Sequence, residues 1–420
     1  MTAAVFFFLL AIGVPIFAVL ALSTVAYIWL TGDTALFDNF LVQIYGGLGN
    51  FGLMAIPLFI ITGELMNECG ITSRLVALSR LIVGSVRGGL AYVNIVANGL
   101  MAAIVGSAIA QTAVMTRVMV PEMERAGYPR ADAAAMTCAG GLLGPIIPPS
   151  MPFIIFAVLS QVPVADMLVA GMLPGLLLAL GFILVAGIVG FKKNYPKSDP
   201  IRRGEAMRIV VGSIPALLVP LAIVGTIISG LGSPTEAAAA AAIAAMIVGR
   251  VAYRELDLTH IPAILERAGK NAAMVLIIVA ASAVFGWVIV YNQVPGVISD
   301  FLIGFATDPY TFLLLVAAGL LIVGMFIDGI AALIITVPIL LPAAEDIYGI
   351  DPVQFGVVAV LTLVIGLLTP PVGAALYVSA GIAQVSPFKL FRSTFPYIVV
   401  ALLTVVVLCF VPYLSLALIR

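Results

Sequence analysis

Charged side chains are scarce in this chain, since Lys, Arg, Asp and Glu make up only 9% of its 420 residues. Soluble domains contain about 25%. The chain has one histidine, His260, and three widely separated cysteines, Cys69, Cys138 and Cys409. This content excludes a disulfide framework, a clustered zinc site and a Ser-His dyad within an apolar segment. We therefore expect no enzyme, and the few, dispersed basic residues do not indicate nucleic-acid binding.

Long apolar segments dominate the sequence instead. Hydrophobic residues make up 63% of the chain and the mean hydropathy is +1.24, which predicts an all-α polytopic membrane protein in a lipid bilayer. A spanning helix needs roughly 20 apolar residues. The candidate spans are residues 5–30, 51–67, 167–191, 209–229, 237–251, 272–291 and 395–416. The first is longer than the apolar part of a signal peptide, so we expect a retained helix.

Four other apolar segments have the wrong shape for simple spans. Residues 89–122 and 309–343 each carry a glycine-bearing break near the middle. Residues 132–161 and 352–384 are broken by the proline-rich motifs GLLGPIIPPS and GLLTPPVG. We predict that the first pair forms re-entrant hairpins and that the second pair forms transmembrane helices unwound at mid-membrane.

The chain contains an internal repeat with an offset of 223 residues. The offset relates identical residues of the two halves: Gly63 and Gly286, Gly106 and Gly329, Pro129 and Pro352, Pro148 and Pro371, and Gln161 and Gln384. A pair of Gly/Pro-interrupted hydrophobic segments at matching positions is the sequence signature of the binding site in a secondary transporter.

Charge placement supports the hairpin interpretation. If each hairpin returns the chain to the side that it entered from, all Lys and Arg residues except Arg420 share one side. The positive-inside rule identifies that side as the cytoplasm, so we expect a cytoplasmic N-terminus and a periplasmic C-terminus. The other side carries Asp33, Asp38, Asp166, Asp300, Asp308, Asp346 and Asp351. The hairpins then enter from opposite sides, which makes the two structural repeats inverted.

The predicted organisation has four parts. These are an N-terminal transmembrane helix with a periplasmic connector (1–49), the first repeat (50–191), a cytoplasmic linker with two scaffold helices and an interfacial arm (192–271), and the second repeat (272–420). The amphipathic segments 73–86 and 255–270 are predicted to lie in the cytoplasmic interface as helices.

Non-helical main chain inside a bilayer must be satisfied by protein, water or ions. Prolines lack amide protons, so we expect free carbonyl groups in residues 144–149 and 369–371. These carbonyls, with the hydroxyls of Ser107, Ser150 and Thr369, suit a hard cation such as Na⁺. Helix N-termini at the breaks favour an anionic substrate group. One proline break could be a simple kink in a bundle, but two at the same offset argue against that.

Asp328 is the acidic residue at a predicted hairpin tip. Intramembrane carboxylates are costly and by default functional, so Asp328 could ligate a cation or titrate as a coupling group. It could equally cap the returning helix, and these roles can coincide. Glu64 and Glu68 are predicted to pair with Arg74 rather than belong to a site. Asn98 could contact a ligand or bond a neighbouring helix, and we favour the second.

Taken together, the motifs of this chain closely resemble those of the large membrane subunit (M subunit) of a tripartite ATP-independent periplasmic (TRAP) transporter. The motifs that carry the resemblance span nearly the whole chain in order. They are IPLFIITGELM (56–66), RGGLAYVN (87–94), GSAIA (106–110), VPEMERAGY (120–128), GPIIPPSMP (144–152), AGMLPG (170–175), SPTEAA (233–238), GMFID (324–328), GIDPVQFG (349–356) and GLLTPPVG (366–373).

The resemblance implies an elevator-type transporter of the ion transporter superfamily. A transport domain with both hairpins and both broken helices would slide against a scaffold, driven by the Na⁺ gradient, with no cofactor beyond this coupling ion. The substrate would be a small carboxylate, an organic or sugar acid, delivered by a periplasmic substrate-binding protein. A separate small four-helix membrane subunit would complete the complex in the bacterial inner membrane.

By motif position, the resemblance implies two cation sites with the substrate between them. The cation-binding residues would be Gly106, Ser107, Gly144, Pro145, Ser150, Asp328, Gly329, Thr369, Pro370 and Gly373. The substrate-binding residues would be Ser107, Ala108, Pro148, Pro149, Ser150 and Pro371. The chief alternative is a proton-coupled or exchanging carrier in which Asp328 titrates. Gln111 stands where many family members carry an acidic residue.

Overall fold

The computed structural model describes residues 2–32, 35–84, 86–197, 203–294, 296 and 304–419. Asp33, Asp300, Arg420 and residues 198–202 of the predicted linker lie outside these ranges, as does residue 85 of the predicted arm 73–86. Within the described residues, the secondary structure is helical apart from one isolated bridge between Arg87 and Lys197.

Twenty α-helices within the described ranges are numbered in chain order. They are α1 Thr2–Ala11, α2 Ile16–Thr31, α3 Ala35–Leu48, α4 Ala55–Glu68, α5 Ile71–Val83, α6 Gly89–Val105, α7 Ala108–Arg125, α8 Arg130–Gly141, α9 Met151–Ser160, α10 Val164–Ala170, α11 Met172–Lys192, α12 Arg203–Ser229, α13 Pro234–Ile247, α14 Ile261–Tyr291, α15 Pro309–Phe326, α16 Gly329–Pro342, α17 Pro352–Gly366, α18 Ala374–Ala383, α19 Pro387–Phe410 and α20 Tyr413–Leu416.

Eight helical stretches of the described chain are long and apolar enough to cross a membrane. They are Phe51–Glu68, Val164–Lys192, Gly204–Ser229, Pro234–Ala252, Leu258–Tyr291, Pro309–Phe326, Gly329–Ile347 and Pro387–Phe410. They confirm the predicted all-α polytopic membrane class. The last of them begins before the predicted residue 395, because Ser386 caps the helix by accepting a hydrogen bond from Lys389 N.

The N-terminal apolar segment differs from the single helix predicted over residues 5–30. α1 ends at Ala11 and α2 begins at Ile16, because Pro15 has no amide proton and takes an extended ψ of 136°. The segment predicted as a connector contains a further helix, α3.

α14 joins two segments that the sequence analysis separates. The predicted arm 255–270 and the predicted span 272–291 share this continuous helix. No proline follows Pro262 within α14, so nothing interrupts its hydrogen-bond ladder. The predicted boundary between residues 271 and 272 therefore falls inside a helix.

Both predicted helical hairpins and both predicted breaks are present. The first hairpin is α6 and α7, joined by residues 106–107, and the second is α15 and α16, joined by residues 327–328. The first break, residues 142–150, separates α8 from α9, and the second break, residues 367–373, separates α17 from α18. The re-entrant placement of the hairpins stays a prediction.

Two groups of helices can be distinguished, which α5 joins by packing against both α6 and α12 and which also meet where α14 packs against α16. In the outer group (α2, α3, α4, α12, α13 and α14), α14 packs against α2, α3 and α4, and α13 packs against α4 and α12. In the inner group (α6 to α9 and α15 to α18), α7 packs against α18 and α16 packs against α9. The second arm of each hairpin therefore lies on the helix that follows the opposite break.

Two glycines of the outer group lie where it meets the hairpins. A Cβ atom on Gly63 of α4 would lie 2.7 Å from the carbonyl oxygen of Ile104 in α6. A Cβ atom on Gly286 of α14 would lie 3.6 Å from the ring of Pro338 in α16. At Gly63 the helix backbones therefore meet without an intervening side chain, a contact that small residues permit.

Ion pairs tie the polar helix ends together. Arg74 pairs with Glu255 at 2.7 Å, and Arg267 pairs with Glu64 and Glu68 at 3.3 and 3.0 Å. The prediction that Arg74 is the partner of Glu64 and Glu68 is therefore wrong. The continuous α14 brings Arg267 beside the end of α4, and this contact could not be read from sequence spacing.

Asp132 of α8 connects three parts of the chain. Its buried carboxylate accepts hydrogen bonds from Lys193 Nζ at 2.8 Å, Tyr195 Oη at 3.0 Å and Ser393 Oγ at 3.1 Å. Burial, and next the Asp132 charge, raise the pKa of the Tyr195 hydroxyl, so that it stays a donor. The start of the predicted linker is thereby held against α8 and α19.

Candidate functional site

The first break leaves main-chain oxygens without partners. α8 ends in tight turns, in which Leu142 N and Leu143 N donate to the carbonyls of Ala139 and Gly140. Of the carbonyls in residues 144–149, only that of Pro145 accepts a hydrogen bond from a described residue, namely Ser150 Oγ. The prediction of free carbonyls at this break is confirmed.

Ser150 has a second role as the cap of α9. Its hydroxyl accepts a hydrogen bond from Phe153 N at 3.3 Å, and its side chain is completely buried. Pro152 follows within the first turn, where a missing amide proton costs nothing. After a break that contains three prolines, the helix therefore starts again at a defined residue, Met151.

The tip of the first hairpin lies against this break. Gly106 has a left-handed φ of 62°, and a Cβ atom there would lie 3.0 Å from the carbonyl oxygen of Pro149. Ser107 then takes extended backbone before α7 begins at Ala108, and its hydroxyl makes no capping hydrogen bond. The structure thus brings the predicted residues of hairpin tip and break together.

Two polar side chains of α7 face the first break and were missed as site residues. A Cβ atom on Gly144 would lie 2.6 Å from Gln111 Oε1, and one on Gly141 would overlap Thr112 Oγ1. Both side chains are completely buried, and neither oxygen has a hydrogen-bond partner among the described residues. The available signal was their position directly after the GSAIA motif (106–110), where the sequence analysis already singles out Gln111.

A hydrogen-bonded network holds Gln111 in place. Gln111 Nε2 donates to the main-chain and side-chain oxygens of Asn98 at 2.7 and 3.1 Å. Asn98 Nδ2 donates to Asn94 Oδ1 at 2.9 Å, and Asn94 Nδ2 donates to Thr137 Oγ1 at 2.7 Å. The prediction that Asn98 bonds a neighbouring helix is confirmed. The network leaves Gln111 Oε1 as a fixed acceptor at the break.

The second break has the same outline. α17 ends at Gly366, and Leu367, Leu368 and Thr369 form tight turns. Thr369 Oγ1 donates to the carbonyl of Ile365 at 3.1 Å, so its oxygen lone pairs stay available. Gly373 has a φ of 44° and precedes α18. Both breaks contain a cis proline–proline bond, at 148–149 and 370–371.

The tip of the second hairpin lies at the second break. Gly373 N donates to the carbonyl of Met325 at 3.0 Å, and the backbones of Gly324 and Gly366 leave no room for a Cβ atom between them. Asp328 caps α16 by accepting a hydrogen bond from Ile330 N at 3.0 Å. The predicted capping role of Asp328 is confirmed, and one carboxylate oxygen remains for other partners.

The predicted site residues thus fall into two groups. The first contains Gly106, Ser107, Ala108, Gly144, Pro145, Pro148, Pro149 and Ser150, and the second contains Asp328, Gly329, Thr369, Pro370, Pro371 and Gly373. Crossed packing of α7 on α18 and of α16 on α9 joins the groups, but no hydrogen bond within the described chain connects their side chains. The described residues contain no cluster of three or more His, Cys, Asp or Glu side chains, so a cation here would depend mainly on uncharged oxygens.

Comparisons with known proteins match this architecture. Residues 3–414 fit the family model described as the tripartite ATP-independent periplasmic transporter, DctM component. The chain is similar to the 2,3-diketo-L-gulonate TRAP transporter large permease protein YiaN of Escherichia coli, with 37% identity over 96% of this chain and 94% of that protein. It is also similar to the sialic acid TRAP transporter large permease protein SiaM of Vibrio cholerae, with 35% identity over 98% and 96% of the two chains.

A solved structure shares the fold. The YdaH transporter of Alcanivorax borkumensis superposes with a TM-score of 0.68 over 90% of this chain and 88% of that chain, at 18% identity. The sequence relatives are transporter permeases rather than enzymes, as predicted. The chain therefore belongs to the DctM component family of tripartite ATP-independent periplasmic transporters.

Proposed function

We propose that this chain is the sodium-coupled permease subunit of a tripartite carrier that takes up a small carboxylate. The observation that carries the proposal is the pairing of each helix break with the tip of a hairpin. Gly106 lies against Pro149 and Gly373 bonds Met325, so each half exposes unpaired main-chain oxygens at a hairpin tip. Unwound carbonyls of this kind coordinate Na⁺ in secondary transporters.

Each half supplies oxygens suited to a hard cation. The first site would use the carbonyls of residues 144–149 and the hydroxyl of Ser107, with Gln111 Oε1 facing the same break. The second site would use the carbonyls around Thr369, the Thr369 hydroxyl and the free oxygen of Asp328. Hard cations prefer oxygen ligands, and within a bilayer such groups would otherwise stay unsatisfied.

The substrate class follows from the relatives and from the helix ends. Sialic acid and 2,3-diketo-L-gulonate, which the two relatives are named for, both carry a carboxylate. α7, α9, α16 and α18 all begin at a hairpin tip or a break, and helix N-termini attract anions. The acid would bind between the two cation sites, near Ala108, Pro148 and Pro371.

The proposed assembly has three components, in keeping with the tripartite family. A periplasmic binding protein would deliver the acid, and a small four-helix membrane subunit would complete the complex. The complex would lie in the bacterial inner membrane, with the basic side facing the cytoplasm. That orientation places the N-terminus in the cytoplasm, the C-terminus in the periplasm and the two repeats in inverted order.

The two packing groups suit an elevator mechanism. The inner group contains both hairpins and both breaks, whereas the outer group contains the long helices α12 and α14. The inner group would carry the ions and the acid across the bilayer as one body, and the outer group would stay fixed. Movement of packed bodies past each other is an established kind of transport and switching motion.

The test is uptake by the complete complex in proteoliposomes. The chain is co-reconstituted with its small subunit and binding protein, and uptake of labelled sialic acid, 2,3-diketo-L-gulonate and C4-dicarboxylates is measured with an inward Na⁺ or an inward K⁺ gradient. We expect saturable uptake of one acid that requires Na⁺ and all three components. Uptake at full rate with K⁺, or by the isolated chain, would contradict the proposal.

Proton coupling is the second candidate. Asp328 favours it, because this carboxylate stands at the second hairpin tip with one oxygen not engaged in the cap. In that case uptake would follow an imposed pH gradient in the absence of Na⁺, and Asp328→Asn would abolish that response. Uptake by the same proteoliposomes under a Na⁺ gradient or a pH gradient distinguishes sodium coupling from proton coupling.

A further inference from the structure

A cavity of about 200 Å³ lies between the first hairpin and α18. Its lining residues are Thr116, Arg117, Val120, Pro121, Arg130, Ile382 and Ala383. None of them belongs to the predicted cation or substrate site. Two arginines in one small cavity make it a candidate site for an anion.

The two arginines of the cavity differ in their hydrogen bonds and ion pairs. Arg130 donates to the carbonyl of Ala383 at 2.6 Å and pairs with Glu124 at 3.0 Å. Arg117 makes no ion pair or hydrogen bond with any residue in the described part of the chain, and it is exposed. Glu124 is thus the acid that neutralises Arg130, and the charge of Arg117 remains uncompensated within the cavity.

A continuous helix seam connects the cavity to the proposed substrate site. α7 begins at the first hairpin tip, α18 begins at the second break, and the two helices pack side by side. Thr116 Oγ1 and Ser379 Oγ lie 3.2 Å apart on this seam, and both residues are buried. Arg117 follows Ala108 by nine positions in the sequence, or about 14 Å at 1.5 Å per helical residue.

We propose that this cavity is a second, transient binding site for the carboxylate of the transported acid, on the basic side of the molecule. The inference rests on the proposed function, because it places the site on the release path of an anionic substrate. Arg117 supplies the free guanidinium, which matches a carboxylate with two parallel N–H donors. Thr116 also lines the cavity, and its hydroxyl lies 3.2 Å from that of Ser379 in α18.

The test measures how charge affects the labelling of a thiol introduced into the cavity. Ile382→Cys in the full-length chain is labelled with an anionic (sulfonatoethyl) or a cationic (trimethylammonium-ethyl) methanethiosulfonate. The native Cys69, Cys138 and Cys409 are buried. We expect faster labelling by the anionic reagent. Arg117→Gln should lower the anionic-to-cationic rate ratio about 25-fold, because one unit charge about 4 Å away in water changes each of the two rates about fivefold in opposite directions.

Two variants control for simple changes in structure or net charge. Arg117→Lys keeps the charge and should keep most of the preference. Arg125→Gln removes a charge from an exposed residue of the same helix that does not line the cavity, and it should leave the ratio unchanged. A ratio that is insensitive to Arg117→Gln, or equally sensitive to Arg125→Gln, would overturn the proposal.

Protection experiments separate a soluble acid from a lipid headgroup. In nanodiscs of zwitterionic lipid, sialic acid, 2,3-diketo-L-gulonate and succinate are each tested for slowing of the anionic labelling, and phosphatidylglycerol replaces part of the lipid in a second arm. We expect the acid that the complex takes up to slow labelling at least threefold, and the effect to require Arg117. Protection by phosphatidylglycerol alone would overturn the inference.

The labelling does not depend on transport, so the two proposals fail separately. If no acid is taken up but the charge preference is present and depends on Arg117, the proposed function fails and the anion site stands. If uptake is sodium-dependent and the preference is absent, the site fails alone. Counterflow adds a sided readout: Arg117→Gln should raise the half-saturating acid concentration inside the vesicles about fivefold and leave the outside value unchanged.

Discussion

The first break faces a buried network of uncharged polar side chains, whereas the second break faces one carboxylate. Under the 223-residue offset, the counterparts of Asn94, Asn98, Gln111 and Thr137 are the apolar residues Ala317, Leu321, Ile334 and Val360. The counterpart of Asp328 is Val105. The two halves therefore share a backbone plan, but each achieves polarity at its break by different means.

This difference has an electrostatic consequence. A cation at the first break would meet neutral oxygens alone, whereas a cation at the second break would meet a compensating negative charge. Interactions with charged groups are roughly twice as strong as those between neutral groups. We therefore expect the second site to dominate the dependence on ion concentration, and the first to depend on exact geometry.

The largest expected effect comes from replacing Gly106 at the tip of the first hairpin. Gly106→Ala forces a Cβ atom into a left-handed conformation, 3.0 Å from the carbonyl oxygen of Pro149. The conformational part alone costs about 1–2 kcal/mol. Gly329→Ala is the matched change, because Gly329 has an ordinary φ and 4.0 Å of room.

We expect Gly106→Ala to lower the thermal unfolding midpoint and to abolish uptake, and Gly329→Ala to behave like the unmodified chain. Thermal unfolding in detergent and sodium-driven uptake measure the two effects. Equal tolerance of alanine at both tips would contradict the geometric dependence of the first site.

Gln111→Leu probes the neutral network. It should lower the free energy of unfolding by about 1–3 kcal/mol, because it leaves the buried oxygens of Asn98 without their donor. Thr112→Val on the same helix removes a hydroxyl that has no partner among the described residues, so it should change stability by less than about 0.5 kcal/mol. The comparison is made by thermal unfolding. Similar losses in both variants would mean that the network does not hold Gln111.

Asp328→Asn tests the charge at the second break and preserves an oxygen that can accept the capping hydrogen bond from Ile330 N. We expect the half-saturating Na⁺ concentration for uptake to rise about tenfold, which corresponds to about 1.4 kcal/mol. Asp328→Ala removes the cap as well and should also reduce stability by about 1 kcal/mol. An unchanged sodium dependence in Asp328→Asn would show that the two sites do not differ as described.

The smallest effects should come from the hydroxyls. Thr369→Val and Ser107→Ala each remove one neutral oxygen ligand, and we expect each to raise the half-saturating Na⁺ concentration about threefold. Thr369→Ser keeps the hydroxyl and serves as the control. A change in Thr369→Ser as large as that in Thr369→Val would implicate packing rather than the hydroxyl.

The sequence alone predicted the hairpins, the breaks and their assignment to two halves. Glycine and proline change the backbone at their own positions, so Gly106, Pro148 and Pro371 indicate in the sequence where helices end. Helix ends were less predictable where no such residue stands, as in the unbroken α14. The pairing of Arg74 with Glu255, and the orientation of Gln111 toward Gly144, depend on packing between distant segments. Nothing in the local spacing of those residues encodes such contacts.

The close approach at Gly63 bears on how the two groups of helices could travel past each other. Interdigitated side chains hold packed elements in discrete positions. A contact between two helix backbones has no interdigitated side chains. If the inner group moves as in an elevator mechanism, the crossing of α4 with the first hairpin would therefore add little to the energy barrier for that movement. The height of the barrier between its end states would then be set elsewhere in the molecule.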